Sequence, residues 1–436
     1  MLARSTKLLK KFNGLQIMYK SFNNPDTLGI ISSYPAYGGE VASGNAISRY
    51  THLLTKNFPK TQKVVIFCEI GEFEKPYLEA PNILVVPTYR LDSPAFFKNI
   101  LQKTLDFDAI SNIMIQFEFS IFGGKIIIPQ LLMLLLTFEL MGKSTKIMFH
   151  QVVTDINVLS GHLAIKKNGF KAKVLNILLE VFYRACGILS DKVFIHDNIL
   201  AGRLSKFVDS EKIKIIPHGM SVERKISKNF AKNSKKYFGV KKETKLLGLF
   251  GYCSWYKGTD WLIENFAKFA RENSRLNVRL LVAGGESPTL KGTLAYQKYH
   301  DRLQEVIKEA NGDIIYTGFV PENDVRKVFA ATDLFVFPYR TKMSASGAFS
   351  LCLGFDKLYL VSEAFSENIN KNEAEGRTFL LNYKAFAGAL KKNLSTNKTA
   401  LPQIQRKSWK AVAAMYLKES LPETSIDPKL SYAQAF

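Results

Sequence analysis

Residues 245–263, KLLGLFGYCSWYKGTDWLI, contain a short apolar run, a glycine turn and the start of a helical pattern. The run KLLGLFGY (245–252) has the length and composition of a buried strand, and the helical pattern begins at residue 258. A buried strand that leads through a tight turn into a helix is the repeating unit of a parallel sheet. This stretch therefore predicts an α/β fold.

The same alternation continues in both directions along the chain. Because it is interrupted once, near residue 220, we predict two Rossmann-like parallel-sheet domains facing across a cleft, with ligands bound at the carboxyl ends of the strands. The predicted strands are 28–34, 63–70, 82–88, 112–119, 146–150, 192–197, 213–219, 245–252, 278–285, 313–320, 333–339 and 357–363, and the predicted helices are 41–57, 124–142, 171–189, 197–207, 258–273, 294–310, 322–331 and 347–355.

The length of 436 residues suits two domains of ordinary size. Residues 222–245 are rich in lysine and almost free of long apolar runs, as a surface connection would be. We therefore predict four parts: an N-terminal Rossmann-like domain (1–220), a basic linker region (221–245), a C-terminal Rossmann-like domain (246–400) and a C-terminal helical segment (401–436) that packs back toward the first domain.

The composition narrows the class of protein. With 47% hydrophobic and 22% charged residues the chain is globular, which excludes disordered and collagen-like classes. No CxxC, HxxxH or HxH spacing occurs, so we predict no metal site and no cofactor. The cysteines lie far apart in apolar runs and indicate buried thiols of a reducing, cytoplasmic compartment; they are Cys68, Cys186, Cys253 and Cys352.

The charge predicts polyanionic partners. Sixty Lys and Arg against 38 Asp and Glu give a formal net charge of +22, which favours nucleic acid, anionic lipid or phosphorylated substrates, although lysine-rich solvated faces explain the same count. No RRM, KH or zinc-finger signature accompanies the charge, which argues against nucleic acid. The most apolar stretch, Ile126–Met141, is shorter than a membrane span and is interrupted by Pro129, so it predicts a buried helix.

Two glycine-containing turns could bind an anion. Gly38 and Gly39 follow the first strand and precede a helix, where backbone amides are accessible to a ligand; a tight turn without a ligand is the alternative. Lys257 follows the strand of residues 245–252 and also precedes a helix, so it could neutralise a phosphate there.

A further anion-binding site is predicted at Ser346, Gly347 and Ala348, at the start of an apolar helix. Plain N-capping is the competing explanation for the serine. In the first half of the chain His150 ends a predicted strand, where it could bond a polar substrate or be a satisfied loop histidine. Glu118 lies in the apolar segment QFEFSIFGG, and a carboxylate there is costly unless it has a partner.

Taken together, these segments resemble the retaining nucleotide-sugar glycosyltransferases of the two-Rossmann (GT-B) class, family 4 in particular. The resemblance runs from about residue 28 to 365. It rests on the order and spacing of Tyr34-Pro35 with Gly38-Gly39, QFEFSIFGG, FHQVVTD, IIPHGM, FGYCSWYKGTDWLI, LLVAGGES, TGFVPENDVRKVFAATDLFVFPYR and SASGAFSLCLGFDK.

The resemblance implies that the second domain holds a nucleotide diphosphate sugar, the co-substrate, and that the first presents the acceptor. Lys257 would contact the diphosphate, His150 the transferred sugar and Glu118 the acceptor side. These three are the implied catalytic residues. The implied donor-binding residues are Gly38, Gly39, Ser254, Lys257, Gly285, Ser346, Gly347 and Ala348.

The sequence departs from the family pattern at several positions. Met343 and Leu351 stand where two glutamates are usual, Tyr252 or Ser254 where an arginine is usual, and Leu358 replaces a proline. We predict a retaining glycosyltransferase of hexosyltransferase type that acts on an acceptor hydroxyl, either lipid-linked or on a growing glycan. The alternative is a non-catalytic GT-B partner subunit that binds sugar, nucleotide or protein.

The location is also predicted from charge. Lys166, Lys167, Lys171 and Lys173 precede the apolar run VLNILLEVFYRACGIL (174–189). Basic residues beside an apolar helical face are typical of a helix at an anionic leaflet, while a buried helix with solvated lysines is the alternative. We expect a cytoplasmic protein bound peripherally to the inner face of the membrane; the sequence carries no signal for oligomeric state.

Overall fold

The computed structural model describes residues 17–37, 46–71, 74–91, 93–119, 127–159, 168–219, 226–287, 290–310, 312–341, 346–369, 376–395 and 407–421. The chain divides into two compact units. Unit 1 comprises Met1–Gly219 and Lys407–Phe436, and unit 2 comprises Met220–Arg406.

Unit 1 contains one eight-stranded sheet in the order β3-β4-β2-β1-β5-β6-β7-β8, parallel except for the edge strand β3. Residues 17–22 are helical before the first strand. The strands are β1 Leu28–Ile31, β2 Val64–Glu69, β3 Tyr77–Ala80, β4 Ile83–Tyr89, β5 Asn112–Phe117, β6 Ser144–Phe149, β7 Lys192–Ile195 and β8 Ile213–Ile215, and the helices are α1 Ala46–Lys56, α2 Phe96–Leu105, α3 Ile127–Leu140, α4 Phe170–Leu189 and α5 Asn198–Leu204.

The central strands of unit 1 are buried along their length, because helices cover both faces of a parallel sheet. β1 lies between β2 and β5, with Ile30 opposite Ile66 and Met114. Gly29 allows this close packing, since a Cβ there would lie 2.7 Å from Cδ1 of Ile113. The carboxyl ends of β1, β2, β5, β6 and β7 consequently meet at one edge of the sheet.

The C-terminal helix α12 (Trp409–Ser420) belongs to unit 1. Trp409, Val412 and Tyr416 are buried in the same apolar cluster as β1 and β2 residues. The Trp409 ring packs over Gly219, where a Cβ would lie 2.4 Å from the ring. Lys192 of β7 and Glu419 form an ion pair of 2.8 Å at the end of the helix.

Unit 2 contains a six-stranded parallel sheet in the order β11-β10-β9-β12-β13-β14. Its core lies on both sides of β9, where helices from either face bury their apolar stripes. The strands are β9 Lys245–Phe250, β10 Val278–Ala283, β11 Ile314–Tyr316, β12 Leu334–Phe337, β13 Leu358–Ser362 and β14 Thr378–Phe379, and the helices are α6 Lys228–Tyr237, α7 Thr259–Glu272, α8 Leu294–Glu309, α9 Glu322–Ala331, α10 Gly347–Gly354 and α11 Tyr383–Ser395.

The stretch 221–245 differs from the predicted linker, because it carries α6, which packs against α9 in unit 2. The contacts of this helix are largely polar. Lys235 bonds Asp333 and the Thr244 carbonyl, each at 2.7 Å, and Tyr237 lies 4.4 Å from the Lys327 ammonium. A helix held by such contacts needs few apolar residues, so its sequence resembles that of a linker.

Candidate functional site

The carboxyl edge of the unit 2 sheet carries a turn whose shape depends on glycine. β9 is followed by Gly251, with φ of 111°, and a short 3-10 helix, Trp255–Lys257, then leads to Gly258, with φ of 69°. A Cβ at Gly258 would lie 2.2 Å from the Pro338 carbonyl oxygen. Only glycine fits both the backbone conformation and the space at this position.

This turn brings the Lys257 ammonium to the first turn of α10. Lys257 Nζ and Ala348 Cβ lie 3.3 and 3.5 Å, respectively, from the point that a Cβ of Gly251 would occupy. The first amides of a helix have no acceptor within the helix and carry partial positive charge. A lysine beside such amides is an arrangement suited to a phosphate or diphosphate.

Ser346 is the N-cap of α10. Its Oγ accepts a hydrogen bond of 3.2 Å from the Phe349 amide and lies 2.7 Å from the Tyr339 hydroxyl. Gly347 is exposed, with no atom within 4 Å of an added Cβ. The Ser346 hydroxyl thus stabilises the helix start, and the open side of the first turn lies at Gly347.

Arg340 holds the lysine turn in place and was missed by the sequence analysis. Its guanidinium donates to both Asp260 oxygens at 3.0 and 2.8 Å and to the Trp255 carbonyl at 3.0 Å. The Arg340 amide donates to the Tyr256 carbonyl at 2.8 Å. The sequence did contain a signal for this pair. Arg340 follows the strand β12, and Asp260 lies in the first turn of the helix that follows β9, so in an α/β fold both charges lie at the carboxyl edge of the sheet.

The residues at the base of the turn, Cys253 and Ser254, are buried. Ser254 is 1% exposed and its Oγ has no hydrogen-bond partner among the described residues. Cys253 donates to the Gly284 carbonyl at 3.3 Å. Burial raises the pKa of the Cys253 thiol to about 11, against a smaller lowering by the Lys257 charge, so the thiol is neutral at pH 7. Its role is structural.

Gly284 and Gly285 directly follow β10 and lie next to Cys253. A Cβ at Gly284 would lie 2.0 Å from the Gly251 carbonyl oxygen, and one at Gly285 would lie 2.8 Å from the Phe319 nitrogen. Gly285 also accepts a hydrogen bond of 2.8 Å from the Cys253 amide. The glycine pair therefore lets neighbouring strand ends approach closely.

In unit 1, His150 follows β6 and is buried. Its Nε2 lies 2.8 Å from Gln116 Oε1, and its Nδ1 lies 3.0 Å from Nε2 of His196. His196 Nδ1 lies 3.1 Å from the Ile216 carbonyl oxygen. Burial lowers the pKa of His150 well below its ordinary value and lowers that of His196 to about 3, so both are neutral at pH 7.

Neutral rings fix the direction of this chain of hydrogen bonds. His196 donates from Nδ1 to the Ile216 carbonyl, so its Nε2 accepts from Nδ1 of His150. Nε2 of His150 then needs a donor. Rotating the Gln116 side-chain amide by 180° places its NH₂ group at Nε2 of His150 as the donor. The Gln116 carbonyl oxygen then lies at the position 2.5 Å from the Tyr416 hydroxyl, from which it accepts. The imidazole of His150 is thereby held in one tautomer.

Aromatic rings enclose the histidines. The Tyr50 ring centre lies 4.7 Å from that of His150 and 5.4 Å from those of His196 and His218. The Tyr50 hydroxyl is buried without a hydrogen-bond partner among the described residues. Trp409 of α12 closes the cluster, with its ring 5.2 Å from that of Tyr50.

The other predicted residues of unit 1 are placed as follows. Glu118 comes directly after β5 and is half-buried. Gly38 and Gly39 lie outside the described residues, as does Met343 of unit 2. Across the described ranges, no group of three or more His, Cys, Asp or Glu side chains could hold a metal ion.

Glu69, at the end of β2, is a carboxylate that the sequence analysis missed. Its Oε2 is buried and has no hydrogen-bond partner in the described part of the chain. Burial raises the pKa of Glu69 to about 7, although hydrogen bonds from Ser33 and the Tyr34 backbone lower it in part. Tyr34 begins the loop that leads to Gly38, so this carboxyl group lies at the base of that loop.

The comparisons with known proteins agree with this geometry. The family model described as "Glycosyl transferases group 1" matches residues 244–396, which contain the Lys257 turn, the Gly284–Gly285 pair and α10. All of the matched residues lie within unit 2. No sequence among the curated proteins matches the chain significantly.

Solved structures show that the chain has the GT-B fold, whose two parallel-sheet domains correspond to units 1 and 2. Sucrose-phosphate synthase from Thermosynechococcus elongatus superposes with a TM-score of 0.63 at 12% identity, over 94% of this chain and 98% of that one. Anabaena HepE, solved in complex with UDP-glucose, gives 0.60 at 13% identity over 94% and 99%. WaaG, a glycosyltransferase involved in lipopolysaccharide biosynthesis, gives 0.58 at 14% identity over 90% and 95%. At these identities the likeness establishes the fold.

Proposed function

We propose that this protein moves a hexose from a nucleotide diphosphate sugar to an acceptor hydroxyl with retention of configuration. The observation that carries the proposal is the Lys257 ammonium beside the first turn of α10, within the matched family domain. Two sources of positive potential converge there, and a diphosphate is the part of the donor that carries negative charge.

The chemistry follows from where charge develops. As the glycosidic bond breaks, the sugar gains oxocarbenium character and the diphosphate gains negative charge. Lys257 and the α10 amides stabilise that charge because they are already oriented toward it. The leaving diphosphate then takes the proton of the acceptor hydroxyl, so the new bond forms on the face that the diphosphate leaves.

Unit 1 supplies the acceptor side in this proposal. His150 contacts the transferred sugar and Glu118 the acceptor. Because both ring nitrogens of His150 bond protein groups, its contact with a sugar hydroxyl requires Gln116 to give up its bond. Glu69 extends the acceptor side as a carboxyl group near its midpoint of titration at pH 7.

We propose further that the protein acts in the cytoplasm on an acceptor that is either lipid-linked or a growing glycan. In the donor site we assign the diphosphate to Lys257, Ser346, Gly347 and Ala348, and the neighbouring parts of the donor to Gly38 and Gly39. Ser254 and Gly285 are buried, so we assign them to the shape of the turn behind Lys257 and not to contact with the donor. The nucleotide diphosphate sugar is the co-substrate, with no further cofactor.

A thermal-shift panel of nucleoside diphosphates tests the donor assignment. Binding to the native state alone raises the melting temperature, so at least one diphosphate is expected to do so. With the matching nucleotide sugar, Lys257→Ala is expected to lose about 10²-fold or more in turnover while remaining folded. Lys268→Ala, an exposed lysine of α7 in the same unit, is the matched control and should keep its turnover. Normal turnover in Lys257→Ala contradicts the assignment.

A second candidate, a non-catalytic GT-B subunit, is favoured by two apolar or aromatic positions near the turn. Leu351 of α10 packs half-buried against the apolar core, and Tyr252 stacks on Phe319 with ring centres 6.5 Å apart. Neither supplies the charge that the family resemblance expects. A flat response to every nucleotide in the panel favours this candidate over the transferase.

A further inference from the structure

The outer faces of α3 and α4 in unit 1 expose an unusual amount of apolar surface. Ten of the 22 large apolar side chains that are exposed in the described part of the chain lie on these helices or directly after α3. Isolated exposed apolar residues are normal, but a contiguous patch marks an interaction surface. The ten are Met133, Leu136, Leu140, Met141, Phe170, Val174, Ile177, Leu178, Val181 and Ile188.

On α4 the exposed residues form one stripe. Phe170, Val174, Ile177, Leu178, Val181 and Ile188 follow the spacing of a single helix face and lie within about 100° of one another around the axis. Phe170 is 82% exposed and Ile177 is 62% exposed. The opposite face, with Phe182 and Tyr183, is buried in the core. The helix is therefore apolar on both its inner and its outer face.

α3 extends the same surface. It packs beside α4 and buries Leu134, Leu135 and Phe138 in the core. Its exposed residues Met133, Leu136 and Leu140 are spaced along one face, and Leu140 is 80% exposed. Two helices that lie side by side and bury their inner faces on the same core present their outer stripes next to each other.

The charges beside the stripe are suited to an anionic surface. Lys171 and Lys173 are exposed at the start of α4. The single acid of α4, Glu180, is paired with Arg184 at 2.9 Å. The whole chain carries a net charge of +22.

None of the described helices combines the length and hydropathy that a membrane span requires. Lys166 and Lys167, which precede this helix in the sequence, lie outside the described residues.

We propose that the α3–α4 surface lies on the face of an anionic lipid bilayer, with the stripe of α4 parallel to the membrane plane. Six apolar side chains enter the boundary between headgroups and acyl chains, and the lysine ammonium groups remain at the headgroups. A fluid bilayer accepts a long convex stripe without matching its shape, and its negative charge complements Lys171 and Lys173. This inference does not depend on the proposed sugar transfer.

Co-sedimentation of the full chain with vesicles tests the proposal. We expect binding to phosphatidylcholine vesicles that contain about 30% phosphatidylglycerol, little binding to pure phosphatidylcholine, and weaker binding at about 0.5 M salt, where screening acts over about 4 Å. Equal binding to both vesicles, or no binding to the anionic ones at low salt, overturns it.

Two pairs of variants locate the surface. Ile177→Asp with Val181→Asp is expected to lower vesicle binding at least tenfold, because it inserts charge into the stripe. The matched control is Leu294→Asp, which changes a residue 75% exposed on α8 of unit 2 and should bind like the wild type.

Lys171→Gln with Lys173→Gln is expected to weaken binding about tenfold or more and to reduce its salt dependence. Lys298→Gln with Lys308→Gln removes the same charge from α8 and should have a smaller effect.

These measurements also show whether the α3–α4 surface binds a bilayer or a second copy of the chain. Since all these positions are exposed, an unchanged melting temperature shows that the variants fold. Wild-type binding by the Ile177→Asp, Val181→Asp variant overturns the proposal. So does sedimentation equilibrium in which the wild type is a dimer and this variant is a monomer, because the surface would then be an interface between two copies of the chain.

Discussion

At the scale of the residue, the carboxyl end of β2 in unit 1 carries a side chain, Glu69, whose protonation is coupled to folding. Burial raises the pKa of Glu69 from 4.5 to about 7 in the native state. The native protein therefore binds this proton more tightly than the unfolded chain does. The stabilisation is fully present below pH 4.5 and is lost as the pH rises through 7.

Glu69→Gln is consequently expected to raise the free energy of unfolding at pH 8 by about 2 kcal/mol, and by less at pH 5. The glutamine keeps the shape of the side chain and removes the charge. Urea unfolding at the two pH values measures the difference, with the exposed Glu74→Gln as control. A variant that is equally or less stable than wild type at pH 8 contradicts the buried-carboxyl account.

The three histidines around Tyr50 act in the opposite direction; His150 and His196 are buried and His218 is half-buried. Burial lowers the pKa of His150, His196 and His218 below the ordinary value of 6.5. Below that pH the unfolded chain takes up protons that the native protein does not. Stability is therefore lost as the pH falls below 6.5, by up to about 1.4 kcal/mol per pH unit for each histidine.

His218→Gln should reduce that slope by the share of one histidine. The measurement is the free energy of unfolding between about pH 5 and 6.5 for the variant and the wild type. Identical slopes would show that His218 titrates in the native state. His150 and His196 are less suitable for this test, because their substitution breaks the hydrogen bonds that link them to each other, to Gln116 and to Ile216, whereas His218 bonds the adjacent Gly219 carbonyl.

At the scale of the element, the sequence predicted the interior of both sheets and missed one edge strand of each. The apolar runs of β1, β2, β5, β9, β10, β12 and β13 identify strands because those strands are largely buried. β3 and β14 were missed, since one is a half-exposed antiparallel edge strand and the other has two residues. α2 and α11 were also missed, and α6 was taken as part of a linker because polar contacts hold it.

In the candidate site, too, some residues could be predicted from the sequence and others could not. Lys257 and the start of α10 could be predicted from the sequence, because each follows a strand and lies at a helix start. Their proximity, by way of Gly251, could not, because it depends on how two loops cross. Arg340 and Glu69 were missed for the same reason. Their partners, Asp260 and Ser33, are distant in sequence and meet only in the folded sheet.

Gly258 offers a test of the turn. Gly258→Ala adds a Cβ 2.2 Å from the Pro338 oxygen at a φ of 69°, so the turn must open. We expect a loss of several kcal/mol in the free energy of unfolding and loss of nucleotide binding. Gly292→Ala is the matched control, since φ there is 91° and nothing lies within 4 Å. Its cost should be about 1 kcal/mol. Equal costs for the two variants would show that backbone conformation alone, and not the Pro338 contact, determines the effect.

At the scale of the whole molecule, the two units have separate cores, and the chain returns to unit 1 at Lys407–Phe436, which contains α12. Trp409→Ala removes the ring that covers Gly219 and Tyr50. We expect it to destabilise unit 1 by about 3–5 kcal/mol. Hydrogen exchange followed by mass spectrometry should show loss of protection in β1, β2 and β7 but not in β9 to β13. Uniform loss across both sheets contradicts the division, and Trp255→Ala at an exposed position is the control.

The central claim is that unit 2 binds the diphosphate of a nucleotide sugar through Lys257 and the start of α10. Calorimetric titration tests it most directly, with the nucleoside diphosphate that stabilises the protein and with the parent nucleoside, which has no phosphate. We expect Lys257→Ala to weaken diphosphate binding at least tenfold and to leave nucleoside binding unchanged, with Lys268→Ala like the wild type for both. Unchanged diphosphate affinity in Lys257→Ala, or an equal loss for the diphosphate and the nucleoside, would contradict the claim.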